Sequence, residues 1–189
     1  SGVFLDNALV AWNAADNCSV ASTTNNASGN FVLGANTVTW TATDGSGNTA
    51  TATQTVTVVD NIDPTISAPA NVTVNVDAGS CTAAFANVTL GTPTTADNCS
   101  VASTVNDASG AYALGATTVT WTVTDGSGNA TTATQTITVV DNIAPTATAQ
   151  NVTVTLNAAG TGSTTAALVN NGSSDNCSFT LALSQTAFT

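Results

Sequence analysis

The sequence predicts an all-β protein of tandem β-sandwich domains arranged end to end. Three observations carry this. Threonine alternates with apolar residues over long stretches, the period-2 signature of half-buried strands. Asn, Asp and Gly cluster between those stretches, where turns need them. A gapless repeat of 81 residues runs through the chain, near the ~100 residues of an immunoglobulin-like sandwich. No segment has a convincing helical period.

The elements follow in order. In Thr37–Thr43 the residues Val38, Trp40 and Ala42 share one face and the threonines the other. Gly45-Ser46-Gly47-Asn48 then supplies residues that tolerate positive φ, so a hairpin closes here. The return strand places Ala50, Ala52, Gln54, Val56 and Val58 on one face. Asp-Asn-Ile-x-Pro-Thr ends the unit, and Pro64 and Pro145 cannot donate to a ladder. Asn71–Val76 points Val72, Val74 and Val76 inward, and Val119, Trp121 and Val123 repeat the first pattern. Trp40 and Trp121 are therefore core anchors, which leaves Trp12 without a place.

Cys18 and Cys99, Asp44 and Asp125, and Pro64 and Pro145 each stand 81 residues apart. A third copy follows Pro145, with Asn151 standing 80 residues beyond Asn71 and Asp175 standing 78 beyond Asp97. The expected domains are 1–61, 62–142 and 143–189, the outer two incomplete. The junctions have no Gly/Ser spacer, so the domains are expected to stack as a semi-rigid rod. The opening Ser-Gly-Val-Phe-Leu-Asp has no basic region and does not read as a signal peptide, so the chain reads as a mature segment of something longer.

Charge excludes much. The chain has no Lys, Arg or His, and its eleven acidic residues are all aspartate, giving a net charge of −11. No internal salt bridge can form between side chains, and no imidazole can shuttle protons. No side-chain cation can grip a phosphate or an oxyanion. Nucleic acid and anionic membranes are repelled, and no apolar run approaches the roughly 20 residues of a membrane helix. Lysine–asparagine crosslinks are impossible. Paired carboxylates run glycoside hydrolysis in some enzymes, but here the acids recur in every copy and nothing marks a cleft, so the chain reads as non-enzymatic. Hydrophobic residues make up 42% and mean hydropathy is +0.22, which fits a folded chain rather than a charged disordered tail.

Four cysteines in such a chain predict disulfides. Cys81 and Cys99 form the one complete pair inside a single copy, and a bridge over that loop would contribute roughly 3 kcal/mol. A metal-thiolate site lacks both CxxC and His. Cys18 and Cys177 are expected to miss their partners through the ends of the chain, the counterpart of Cys81 falling one position before Ser1.

Aspartates recur in Asp-Asn-Cys, Thr-Asp-Gly-Ser-Gly-Asn and Val-Val-Asp-Asn. Two readings stand side by side. Asp and Asn accept hydrogen bonds from their own downstream amides and build turns. Alternatively, Asp and Asn oxygens suit Ca²⁺. In an immunoglobulin topology the Gly126-Ser127-Gly128 loop faces the preceding linker, bringing Asp125 towards Asp60 and Asp63. Asp97 joins them if its loop lies at the same pole, and Asp141 is expected to repeat the arrangement with the third copy.

DPTISAPANVTVNVDAGSC, ADNCS, GAYALGATTVTWTVTDGSGN and TQTITVVDNIAPT, in that order, resemble the hyalin-repeat (HYR) immunoglobulin-like domains. Arrays of these occur in very large secreted surface proteins of Bacteroidota, of which the SprB-like gliding-motility adhesins are the nearest type. The resemblance implies a non-enzymatic, extracellular, cell-surface stalk or spacer whose partners are its neighbouring repeats and, beyond them, external surfaces or polysaccharide. Where family members carry Cys before Pro-Ala-Asn this chain has Ala68, and it lacks their cysteine in the last strand. The third copy, NNGSSDNCSFTLALSQTAFT, resembles a sister variant, which places a further cysteine after Thr189. The run Asp60–Pro64 resembles, more loosely, the aspartate-rich linkers of calcium-stiffened adhesion domains. Two other functions remain as alternatives: direct carbohydrate or surface binding, which would call for exposed aromatics, and ice binding, which a twisted sheet fits poorly.

Overall fold

The structure is a computed structural model that describes residues 13–189. Trp12 and the start of the first expected domain lie outside the described residues. The strands in chain order are β1 (Val20–Asn25), β2 (Gly34–Asp44), β3 (Thr49–Val58), β4 (Thr65–Ser67), β5 (Val72–Asn75), β6 (Thr82–Ala83) and β7 (Thr94–Ala96). They continue with β8 (Val101–Asn106), β9 (Tyr112–Ala113), β10 (Gly115–Asp125), β11 (Ala130–Val140), β12 (Gly162–Ser163) and β13 (Ala187–Phe188). Helix among the described residues is limited to a 3-10 turn at Phe85–Asn87 and one turn at Ala166–Val169. The all-β expectation holds.

The chain packs as two compact units. The first comprises residues up to Ile66 with Thr95–Thr104 and Thr122–Thr131. The second comprises Ser67–Thr94, Val105–Trp121 and Thr132–Thr189.

In the first unit β1, β2 and β3 form an antiparallel sheet in that order. Val38 pairs with Gln54 and Trp40 with Ala52, so the predicted inward residues share a face. Val38 and Val56 are buried, while Trp40 is half-buried. Among the described residues no fourth strand pairs with β3.

That added strand is present in the second copy. Here the sheet order is β5-β11-β10-β8. β5 runs parallel to β11, with Ile137 beside Val72 and Val139 beside Val74. Val119, Val123, Ile137 and Val139 are at most 1% exposed, and Trp121 is buried with them. Burying a Val or Ile side chain contributes roughly 1.5–3 kcal/mol, so this strip holds the sheet against its covering segments.

A buried glutamine fastens the core. Gln135 is 0% exposed. Its Nε2 donates to Ala70 O at 2.7 Å and to Leu90 O at 2.8 Å. Its Oε1 accepts from Trp121 Nε1 at 3.2 Å. Two irregular segments that offer no ladder partners are thereby tied to the central strand. The first copy keeps the inner half of this device: Trp40 Nε1 donates to Gln54 Oε1 at 2.9 Å.

The third copy departs from its pattern. Residues 151–156 read NVTVTL, yet no strand forms there. What order there is comes from β12 paired with β13 and from bridges Thr146–Ser174 and Ala149–Asn170.

Gln135→Ala is expected to destabilise the second copy by about 3 kcal/mol, because it strands two carbonyls and an indole N–H. Gln54→Ala is expected to cost about 1 kcal/mol, since it loses the indole bond alone. Urea denaturation followed by tryptophan fluorescence compares the two.

Candidate metal centre

The site is built from three tight turns. Between β10 and β11, Asp125 Oδ1 accepts from Ser127 N at 2.9 Å and Asn129 N at 2.8 Å, and its Oδ2 accepts from Asn129 Nδ2 at 2.7 Å. Gly128 takes φ +94°, a conformation that favours glycine. Asp44 organises the same turn in the first copy, accepting from Ser46 N and Asn48 N at 2.8 Å.

The Asp-Asn-Cys turn is closed by Asp97 Oδ2, which accepts from Cys99 N at 2.8 Å and Ser100 N at 2.9 Å. This turn and the β10–β11 turn lie together, since Gly126 N donates to Ser100 O at 3.1 Å. A Cβ at Gly126 would stand 3.1 Å from Ser100 Oγ, so the two turns approach closely here.

The third turn belongs to the linker. Asp60 Oδ1 accepts from Ile62 N and from Asn98 Nδ2, both at 3.2 Å. Asn129 Nδ2 donates to Asp60 O at 3.2 Å. Asn98 and Asn129 thus tie the linker to the two turns. Sequence reasoning passed over both, although their recurrence in every Asp-Asn-Cys and Gly-Ser-Gly-Asn was the available signal.

These turns bring Asp60, Asp97 and Asp125 together, each offering a carboxylate oxygen within 4.8 Å of the others. All three belong to the first compact unit. Asp125 is 2% exposed, and the other two are half-buried. Asp60 Oδ2 and Asp97 Oδ1 are buried and accept no hydrogen bond. Buried carboxylate oxygens without a partner are costly. The residues fit a hard divalent cation, because ligands on opposite sides of Ca²⁺ stand about 4.6–5.2 Å apart.

Two of the expected aspartates do not join. Asp63 is exposed and outside the group. Asp141 accepts from Ile143 N at 3.0 Å and lies 3.5 Å from Asn176 Nδ2. Asp175 Oδ1 and Asn176 Oδ1 are buried without partners, as at the first site. Asp141 belongs to no three-carboxylate group among the described residues.

Hydrogen bonds set the protonation of the site. The Ile62 N–H holds the Asp60 carboxyl below its ordinary value, helped by Asn98 and the Cys99 thiol, against burial and the Asp125 charge. Burial pushes Asp125 up, but hydrogen bonds from Asn129, Ser127 and Gly128 outweigh it and the net direction is down. The Cys99 thiol is raised by its interaction with the neighbouring Asp60 side chain, by burial and by the charge of that carboxylate.

The expected Cys81–Cys99 disulfide is corrected by the structure. Cys81 bonds Cys177, with Cα atoms 4.8 Å apart across 96 residues, while Cys18 and Cys99 are free and exposed. The expectation that Cys177 lacks a partner falls with it. The reason is the placement of the Asp-Asn-Cys turn. It folds against the linker at the start of its own repeat, with Ala96 O accepting from Thr65 Oγ1 and Asn98 beside Asp60. Cys81 instead follows β5, which ends beside the close of β11, and Val76 N donates to Val140 O there. The third copy's Asp-Asn-Cys turn arrives at that same place, where Asn176 Nδ2 donates to Ser80 O at 2.9 Å. The bridge therefore joins one repeat to the next.

Fold and site together define a tandem-repeat β protein with acidic, amide-braced linker turns and a disulfide between repeats. The HYR domain family matches residues 2–58 and 59–139, and the chain belongs to that family. It is 38% identical over 137 residues to Hyalin of Lytechinus variegatus, covering 68% of this chain and 25% of that protein. It is 37% identical over 145 residues to Hyalin of Strongylocentrotus purpuratus, covering 72% of this chain and 12% of that protein. The chain thus spans a quarter or less of the length of these curated relatives.

Non-reducing peptide mapping should recover a Cys81–Cys177 peptide pair and alkylated Cys18 and Cys99. Recovery of Cys81 with Cys99 would overturn the assignment. The acid limb of stability has a definite sign. Asp60 and Asp125 have lowered folded values, so their stabilisation is complete above the ordinary carboxyl value of about 3.9 and is lost as pH falls through the lower folded values. In metal-free buffer, Tm is expected to stay level from about pH 8 to 5 and to drop below about pH 4.

Proposed function

We propose that this chain is a structural segment of a long extracellular cell-surface adhesin, in which HYR repeats form a semi-rigid stalk stiffened by Ca²⁺ at the linkers. Membership of the HYR family supports the adhesive, extracellular class, and the motif order supports the gliding-adhesin type. No helix among the described residues is long and apolar enough to cross a membrane. The observation that carries the reading is the trio Asp60, Asp97 and Asp125, with two buried carboxylate oxygens unpartnered in a chain that has no side-chain cation of its own.

Asp60 comes from the linker, and Asp97 and Asp125 come from the following repeat. Their carboxylates would hold the ion, while Asn98 and Asn129 keep the three turns in place. Ca²⁺ would neutralise three converging negative charges and fasten the linker to the next repeat.

The test is thermal melting with calcium and then with EGTA. Extracellular calcium modules bind at about 0.1–1 mM, so about 10 mM calcium should stabilise by roughly 1.4–2.7 kcal/mol. Asp60→Asn should abolish most of that increment, because it removes a charge while keeping an oxygen in place. Asp63→Asn should retain it. A Tm unaffected by calcium in the unsubstituted chain leaves the aspartates as turn formers. Strong glycan-array binding by the 189-residue chain would favour direct carbohydrate recognition over a stalk.

A further inference from the structure

We propose that the second repeat carries a binding site for a neutral polyhydroxyl ligand the size of one sugar ring, in the cavity between the β8–β9 loop and the start of β10. The cavity measures about 190 Å³, and its polar lining is Asp107, Ser109, Tyr112, Thr117 and Thr118. It has room for several waters or for one sugar ring. All five residues belong to the second compact unit.

Tyr112 is the residue that points to a ligand. It is 3% exposed, and its hydroxyl is buried with no hydrogen-bond partner in the chain. A buried phenol normally finds one. The residue is held firmly: β9 pairs Tyr112 with Ala83 of β6, and the Phe85 ring stacks on it. Burial pushes the phenol up and the Asp107 charge adds to this, so the O–H is kept as a donor at neutral pH.

Asp107 supplies the acceptor. Its Oδ1 accepts from Thr120 N at 2.7 Å, and its own N–H donates to Thr120 O at 3.2 Å, so the carboxylate is fixed beside β10. A ligand that uses both residues must accept from a phenol O–H and donate to a carboxylate. A hydroxyl group does both. An anion is repelled by Asp107, an apolar group satisfies neither residue, and a cation leaves the phenol proton without an acceptor. Several hydroxyls on one small ring also suit the hydroxyls of Ser109, Thr117 and Thr118, which is the chemistry of a neutral sugar.

The first repeat provides the contrast. There Phe31 stands in the place of Tyr112, Asn26 in that of Asp107 and Asn36 in that of Thr117. Asn26 Oδ1 keeps the turn bond, accepting from Thr39 N at 2.7 Å. Asn36 Nδ2 turns back to donate to Val32 O at 2.7 Å and Gly34 O at 3.0 Å. The fold therefore requires neither the phenol hydroxyl nor the carboxylate. One site of this size binds weakly, so it adds to the stalk reading and does not replace it; strong binding to a surface would take many copies acting together.

The test is an amide-resolved NMR titration of the 189-residue chain with the methyl glycosides of glucose, galactose and mannose, in EGTA so that calcium plays no part. At least one of these sugars is expected to shift the amides of residues 107–112 and 117–120, with Kd about 1–30 mM. Tyr112→Phe and Asp107→Asn install the residues of the first repeat, so both should fold, and each should weaken that binding about tenfold or more. Tyr112→Phe should also melt no lower than the unsubstituted chain, since it removes an unpartnered hydroxyl. No shift with any of these sugars at about 100 mM overturns the proposal and leaves the cavity to water. Binding that Tyr112→Phe leaves unchanged overturns it equally, since another surface is then responsible. Neither outcome bears on calcium at Asp60, Asp97 and Asp125, which the melting experiment decides separately.

Discussion

No side chain in this protein carries a positive charge, and the local architecture follows from that constraint. A carboxylate here can be satisfied by water, by an amide or hydroxyl, or by an imported cation. The chain uses amides wherever it can. Asp16, Asp44, Asp97, Asp125 and Asp175 each turn back to accept from backbone N–H groups two to four residues ahead. Each such bond also defines a turn, so the requirement to solvate charge and the requirement to reverse the chain are met together. Where three of these turns converge, the amides run out and two carboxylate oxygens remain without partners.

Much of the fold was legible because its signals are local. Alternation assigned the faces of β2, β3, β10 and β11, and Val38, Val119, Val123 and Ile137 lie buried as that pattern requires. The repeat offset transferred each assignment from one copy to the next. Residues 151–156 show the limit of the method. They have strand composition, but a strand is a pairing and not a property of six residues, and no strand among the described residues pairs with them. Gln135 marks a second limit. Its position on the inward face was readable, but its two carbonyl partners, 65 and 45 residues away, are set by tertiary packing.

The site divides in the same way. Asp60, Asp97 and Asp125 were named from motif and topology, and they meet. Asp63 was named by proximity in sequence to Asp60, yet Ile62 N turns towards Asp60 and leaves Asp63 facing water. The disulfide was misassigned because closeness in sequence stood in for closeness in space. Eighteen residues separate Cys81 from Cys99, but β6, the 3-10 turn and β7 intervene, and the turn holding Cys99 doubles back to the linker.

The bridge between Cys81 and Cys177 has a mechanical consequence. In a chain pulled from both ends, tension entering at Cys81 leaves through sulfur to Cys177 and bypasses the residues between. Those residues include all of β8 to β11 and the buried apolar strip of the second repeat. At about 3.4 Å per residue, the bypassed span would otherwise release roughly 320 Å of slack when that repeat unravelled. Oxidised, the chain keeps this length in reserve and yields elsewhere first. Reduction of a single bond would turn a short tether into a long one.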